Sequence, residues 1–237
     1  MGTLVLLGTG WAGGAVLAAF FVSSTALGRA VPEQPRLDEK GGRRDAAQVA
    51  VNGGPAALAA AAALVQLPSL PSVAGINRPG LAVWIVTASL AAAAADTWAT
   101  SIGGLSRTAP RRLWFGSVVA PGTNGGMTAA GNVGALAGAA VVAGVGALAA
   151  GMPALAPAGT LVGFAGMVVD STLGALVQGR FHCPACDGAS EWRMHRCGAR
   201  TVRIGGLAWL DNDAVNLAAT AIAAGLGAVA WRLWARG

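Results

Sequence analysis

The chain has 237 residues, of which 54% are hydrophobic, 11% are charged and 36 are Gly. Globular chains average about 25% charged residues and about 7% Gly, so charge is scarce here and Gly abundant. A net charge of +6 carried by so few, localised residues excludes a disordered or nucleic-acid-coating chain and leaves an integral membrane protein.

Charge is absent from 1–28, 46–77 and 214–231; Asp96 alone interrupts 79–106, and Asp170 alone interrupts 113–179. A helix needs about 20 apolar residues to cross the hydrocarbon. Six spans fit in chain order: roughly 3–22, 47–67, 80–100, 127–150, 156–178 and 213–234. Continuous apolarity without two-residue alternation argues against a membrane β-barrel. The expected fold is therefore all-α, a polytopic bundle of about six transmembrane helices forming one integral-membrane domain over 1–237. Cores rich in Ala, Gly, Val and Leu let helices approach closely. The first span reads as a retained helix, because a signal peptide carries its basic residues before the apolar run and here Arg29 comes after it.

Thirteen of the 16 basic residues fall in the first, third and fifth loops, and Arg78, Arg232 and Arg236 fall on the other side. The positive-inside rule then puts both termini outside the cytoplasmic membrane and the odd loops in the cytoplasm.

Polar residues are costly in hydrocarbon, so their positions carry the functional signal. Phe21-Val22-Ser23-Ser24 closes span 1. Lys40-Gly41-Gly42-Arg43-Arg44-Asp45, with Gln48 and Asn52, opens span 2. Asp96 through Ser101 closes span 3, Gly122-Thr123-Asn124-Gly125-Gly126 opens span 4, Asp170-Ser171 lies near the end of span 5, and Asp211-Asn212-Asp213 with Asn216 opens span 6. All six groups belong to one leaflet, which suggests one shared site. Four of them also have a plainer reading. Gly159, Gly163, Gly166, Asp170, Gly174 and Gln178 share one helix face, which is either a ligand face or a packing stripe whose Asp meets a buried Arg. Asp96 is either a site carboxylate or a cap on the following loop. The glycine-rich loop reads as a turn or as a phosphate cradle entering a helix, without a Walker sequence. Lys40, the only lysine, sits in a basic cluster suited to phosphate, to orientation or to anionic lipid.

The three cysteines lie close together as Cys183-Pro-Ala-Cys186 and Cys197, with His195 beside the last. Three thiolates and an imidazole form a structural zinc set, and the odd count precludes complete disulfide pairing. The alternative is three free thiols and a surface histidine. A closed site would clamp the cytoplasmic loop 180–205 over the mouth of the bundle.

Five motifs together resemble one family. Lys40-Gly-Gly-Arg-Arg-Asp-Ala-Ala-Gln-Val, Asp96-Thr-Trp-Ala, Gly122-Thr-Asn-Gly-Gly, Val169-Asp-Ser-Thr-Leu-Gly-Ala and Leu210-Asp-Asn-Asp-Ala-Val-Asn-Leu resemble, in order, the transmembrane-protein-nineteen family, long catalogued only as a domain of unknown function. Its plant and cyanobacterial members include phytyl-phosphate kinases. The resemblance implies an isoprenoid-phosphate kinase that moves a phosphoryl group from a nucleoside triphosphate, with CTP favoured, to phytyl or polyprenyl monophosphate. Many relatives carry Glu where Ser101 stands, so no metal role falls to that position here.

A phosphomonoester is largely dianionic at neutral pH, with a second pKa near 6, and so needs no general base. Catalysis would rest on positioning and charge neutralisation. On this reading Asp96, Asp170, Asp211 and Asp213 hold Mg²⁺, because hard cations prefer carboxylate oxygen. Gly122–Gly126, Ser171, Asn212 and Asn216 bind nucleotide phosphate. Lys40, Arg43 and Arg44, with Asp96 and Asp170, form the catalytic set, and Cys183, Cys186, His195 and Cys197 hold Zn²⁺. The expected partners are the nucleotide, the isoprenyl monophosphate and the bilayer, with a homodimer compatible and nucleic acid not. The rival class is a transporter of a small or lipid-linked anion, disfavoured by the lack of an inverted repeat and by polar groups gathered at one face.

Overall fold

The computed structural model describes residues 1–31, 46–64, 78–113, 116–195 and 197–236. Lys40, Arg43 and Arg44 lie outside the described residues. Among the described residues, six helices are long and apolar enough to cross a membrane: α1 (Gly2–Ala30), α2 (Ala46–Leu64), α3 (Arg78–Gly103), α4 (Ala129–Ala150), α5 (Leu155–Leu176) and α6 (Asn212–Trp234).

α3 is the central helix, packed against all five others. Its Ala91–Ala95 run is buried throughout, and methyl-sized side chains let neighbouring backbones close in from several sides. The neighbours answer with glycine. A Cβ on Gly138 of α4 would stand 2.9 Å from the Ala94 carbonyl oxygen, one on Gly163 of α5 would stand 2.8 Å from Ala91 Cβ, and one on Gly227 of α6 would stand 2.6 Å from Ala88 Cβ. Without a hydrophobic driving force between helices in lipid, such close packing is what holds a bundle together.

The helix bounds depart from expectation in two places. α1 runs past Ser24 to Ala30, so Phe21–Ser24 lies within it rather than closing it, since no Gly-Pro or Asn-Pro break precedes Val31. Its 29 residues would measure about 44 Å if straight, more than the hydrocarbon requires. Gly10 interrupts it with φ 62 and ψ −154, a conformation that only glycine adopts readily. α4 starts at Ala129, where Thr128 caps it by accepting from the Gly131 amide at 3.0 Å.

Short antiparallel strands decorate two loops, a feature absent from the helical expectation. β1 (Arg111–Arg112) pairs with β2 (Gly126–Met127). Between α5 and α6, β3 (Arg180–Cys183), β4 (Gly188–Ser190) and β5 (Val202–Gly205) form a sheet in the order β4-β3-β5. Segments of two to four residues carry too little periodicity to register beside long apolar spans. At the opposite end of the bundle Trp84, Trp231 and Trp234 cluster with ring centroids 5.1–6.0 Å apart, in keeping with the aromatic belts of membrane interfaces.

Candidate functional site

The C-terminal ends of α3 and α5 and the N-terminal ends of α4 and α6 meet at one end of the bundle, and a cavity of about 590 Å³ opens there. That is the size of a small-molecule site. Each wall follows from helical spacing. Asp96, Thr100 and Gly103 are three and four residues apart on α3; Asp170, Ser171, Gly174 and Gln178 repeat the pattern on and just beyond α5. The remaining walls are Pro121–Thr128, Asn132 of α4, Asn212 of α6, the Ser106–Pro110 loop, and Glu191 from the segment after β4.

The expected residues separate cleanly. Asp96, Asp170, Ser171, Asn212 and all of Gly122–Gly126 line the cavity. Asp96 sits within α3, which continues to Gly103, so it is not the cap of the following loop. The α5 stripe divides in two. Gly159, Gly163 and Gly166 are packing positions against Ala143, Ala91 and Ala92, whereas Asp170, Gly174 and Gln178 face the cavity. Asp211 is not in the lining: it N-caps α6, its Oδ1 accepting from the Ala214 amide at 2.9 Å. Asp213 lies in the same first turn, and Asn216 is buried one turn deeper; neither lines the cavity.

The glycine-rich loop does not run straight into a helix. β2 and the Thr128 cap stand between it and α4, which removes the helix end as its source of donors. Two tight turns shape the loop instead, with the Thr123 amide donating to the Ala120 carbonyl at 3.1 Å and the Gly126 amide donating to the Thr123 carbonyl at 2.9 Å. Among the described residues the Gly122, Asn124 and Gly125 amides have no backbone acceptor, so they remain available as donors to an anion. Gly125, at φ +72, lies directly on α5: a Cβ there would reach Ala175 Cβ and stand 2.6 Å from the Ser171 carbonyl oxygen.

Acids dominate the electrostatics. Asp170 feels the charges of both Asp96 and Glu191, and its Oδ2 is buried without a hydrogen-bond partner. Gln178 is only 3% exposed, and its Nε2 is likewise buried without a partner. Buried polar atoms are rarely left unsatisfied, and a cation at Asp170 with an acceptor at Gln178 would satisfy both. Arg107, exposed on the rim, is the one cation in the lining among the described residues. Sequence reasoning missed Glu191 and Arg107 as site residues. Glu191 is one of two acids between Cys183 and Cys197, a faint signal without the hairpin fold.

In the segment between α5 and α6, one ligand atom from each of Cys183, Cys186, His195 and Cys197 lies within 4.8 Å of the others, so the cluster could hold a metal ion. Two tight turns supply it. Cys183 ends β3 and pairs with Gly188 across the Cys186 turn, while the Gly198 amide donates to the His195 carbonyl at 2.8 Å. The His195 ring, with Nδ1 3.1 Å from Cys197 Sγ, brings that thiol down to about 6. Hydrogen bonding to Cys197 pushes Cys186 up to about 11.

A polytopic helical membrane protein with an acidic, glycine-lined cavity at one end of its bundle is the class that fold and site define. The chain belongs to the family described as Integral membrane protein DUF92, which matches residues 1–224; this is the family that the five motifs resemble. It is similar to Protein PGR of Arabidopsis thaliana, 27% identical over an alignment of 237 positions that covers 92% of this chain and 81% of that one. No solved structure matches.

Proposed function

We propose that the protein is an isoprenoid-phosphate kinase of the membrane boundary, transferring a phosphoryl group from a nucleoside triphosphate, CTP by preference, to phytyl or polyprenyl monophosphate. The observation that carries this reading is the meeting of Asp96, Asp170 and Glu191 with the Gly122–Gly126 loop around one cavity. Two walls of such different chemistry suit a ligand that brings its own cation: carboxylates for the metal, free amides for the phosphates.

The donor set fits Mg²⁺ in that form. Mg²⁺ is usually bound by one or two carboxylates together with substrate phosphates rather than by an all-protein cage. Among the described residues, the only group of three or more potential ligands close enough to hold one ion is the Cys3His cluster, so the acidic wall suits a nucleotide-borne cation better than a bare one. When bound, Mg²⁺ would neutralise charge between the two anionic partners. Asp96 and Asp170 would hold it. Asp211 and Asp213 would act through the start of α6, which presents Asn212. The Gly122, Asn124 and Gly125 amides, with Ser171 and Asn212, would orient the donor phosphates, and Asn216 would support Asn212 from one turn below.

In the transfer, an oxygen of the monophosphate attacks the γ-phosphorus, the bond to the β–γ bridging oxygen breaks, and nucleoside diphosphate leaves. No proton need move, because the acceptor is already largely dianionic. Lys40, Arg43 and Arg44 would hold the acceptor phosphate, with Arg107 on the rim beside it. The isoprenyl tail would lie between spans or in the adjoining lipid, and the site would face the cytoplasm with both termini outside. The Cys183, Cys186, His195 and Cys197 set fits Zn²⁺ in a closed structural site. A cavity at the end of the spans, rather than at their midplane where transporters bind, supports the enzyme over the transport reading.

The test is a radiolabelled transfer assay in detergent, with CTP and ATP offered against geranylgeranyl, phytyl and longer polyprenyl phosphates. The expected product is the isoprenyl diphosphate. Its absence from every pairing would refute the reading.

A further inference from the structure

Glu191 reaches the cavity by a different route from the other acids. Asp96 and Asp170 project from membrane helices, whereas Glu191 stands on the hairpin between β3 and β5, midway between the two halves of the Cys3His cluster. Its backbone is held from both sides. Before it, Ser190 pairs with Phe181 across the sheet, and Ser190 Oγ accepts from the Trp192 amide at 3.1 Å, folding the chain tightly around Glu191. After it, Thr201 Oγ1 donates to the Trp192 carbonyl at 2.6 Å, and the Thr201 amide donates to the Arg193 carbonyl at 3.0 Å. The base of the hairpin is tied to the bundle, with the Leu207 amide donating to Val177 and the Gly179 amide to Leu210, each at 2.9 Å.

What joins the two halves is the sulfur–imidazole cluster. Cys183 and Cys186 lie before Glu191, and His195 and Cys197 after it. A metal across all four closes a ring of chain with Glu191 inside, and so removes the freedom by which Glu191 would swing out of the cavity. Acids gathered at a surface do not by themselves define a site. Here the same cavity also contains the Gln178 amide, 3% exposed and with an unpartnered Nε2, a buried donor that an acceptor in the cavity would satisfy.

We propose that Glu191 is a binding residue for the metal-bearing phosphates of the nucleotide, and that the metal in the Cys3His hairpin holds it in position. The hairpin metal thereby sets the affinity of the cavity for a metal–nucleotide without touching it. This rests on the nucleotide-dependent reading above. A third carboxylate beside polyphosphate has a signature that mere structural support lacks: it attracts nucleotide that carries a divalent cation and repels nucleotide that does not.

The experiment uses the full-length protein in detergent, with Mn²⁺ and CTP as probes. Bound Mn²⁺ is measured by electron paramagnetic resonance, metal-free CTP binding by equilibrium dialysis in resin-treated buffer that holds no divalent cation and no chelator, and hairpin metal by elemental analysis before and after dialysis. E191Q is expected to keep its hairpin metal, to lose about tenfold or more in Mn²⁺–CTP affinity, as outer-shell changes at metal sites commonly do, and to bind metal-free CTP more tightly than wild type. C186S is expected to lose the hairpin metal and to weaken Mn²⁺–CTP binding by a similar factor, with the double variant falling no further. Mild chelation of wild type followed by zinc re-addition reproduces the loss and its recovery, and keeps the test decisive if C186S folds poorly.

Wild type that binds neither Mn²⁺–CTP nor Mn²⁺–ATP would refute the nucleotide reading itself. Wild type that binds while E191Q matches it, or E191Q that weakens both forms of CTP equally, would overturn the role of Glu191 alone. Purified protein without hairpin metal, or full Mn²⁺–CTP affinity after its removal, would overturn the clamp.

Discussion

Gly125→Ala tests whether the glycine-rich loop must lie on α5 for the cavity to exist. Two costs add at this residue. Its φ of +72 places a non-glycine residue in the left-handed region, which costs about 1–2 kcal/mol. The new methyl would also stand 2.6 Å from the Ser171 carbonyl oxygen and 2.8 Å from Ala175 Cα, both backbone atoms of a packed membrane helix that cannot rotate away. Overpacking of this kind costs about 1–3 kcal/mol, for a total of about 2–5 kcal/mol. Gly151→Ala is the control: φ is similar at +64, but nothing lies within 4 Å of the added methyl, so only the first cost applies. The assay is thermal unfolding in detergent alongside Mn²⁺–CTP binding. Gly125→Ala should melt well below Gly151→Ala and lose nucleotide binding, because relief of the contact lifts the Gly122–Gly126 amides off the cavity wall. Equal melting of the two variants with unchanged binding in both would refute the reasoning.

Asp170→Asn replaces a carboxylate that can hold a cation by a neutral amide of the same shape. It should reduce Mn²⁺–CTP affinity about tenfold or more and abolish transfer at a melting temperature no lower than that of wild type; full transfer would remove Asp170 from the metal-binding set. Asp211→Ala should cost about 1 kcal/mol through loss of the α6 N-cap, while Asp211→Asn keeps the cap and should keep activity. If Asp211→Asn is as inactive as Asp170→Asn, Asp211 is a metal ligand after all. Zinc binding to the hairpin should release protons at pH 7.5, because Cys186, pushed up to about 11, still carries its proton there. Affinity should fall throughout the descent from pH 7.5, and more steeply below about 6, where Cys197 takes up a further proton that competes with the metal. Calorimetry in buffers of different ionisation enthalpy reads the protons directly; zinc affinity unchanged between pH 5 and 7.5 would exclude thiolate ligation.

The spans were legible because membrane insertion is a one-dimensional test: enough consecutive apolar residues with almost no charge. Asp96 and Asp170 stood out for the same reason, as isolated charges in runs that otherwise forbid them. The end of α1 was not legible. Ser23 and Ser24 lower local hydropathy without breaking a helix, and Ser24 is buried within it. For Asp211 the sequence left two roles open, because an Asp before a helix and an Asp beside a cation have the same signature; the bond to the Ala214 amide, visible only in three dimensions, establishes the capping role. The α5 glycines show the opposite limit. Periodicity placed Gly159 through Gln178 on one face, but only the depth of the neighbouring helices divides that face into a packed half and a cavity half. Glu191 was illegible because its place depends on a short-stranded sheet whose pairings are set by tertiary contacts.

The position of the cavity follows from where the small residues stop. Along α3 the alanine run ends at Ala95, and Asp96 is the next residue. Along α5 the glycines that meet those alanines end at Gly166, and Asp170 follows one turn later. While both helices carry hydrogen or methyl at their contact, the backbones close and no space remains. Where carboxylates replace them the helices cannot close, since two acids at van der Waals distance would repel and lose their hydration together. The resulting gap lies at the level where spans give way to loops, and the polar loops and the hairpin roof it. A site of this origin joins two solvents: its acidic and amide walls face water-borne groups, while the helices below it continue into lipid. A substrate with an ionic head and an apolar tail is the kind of molecule that such a junction accommodates, because each half can stay in the medium it prefers.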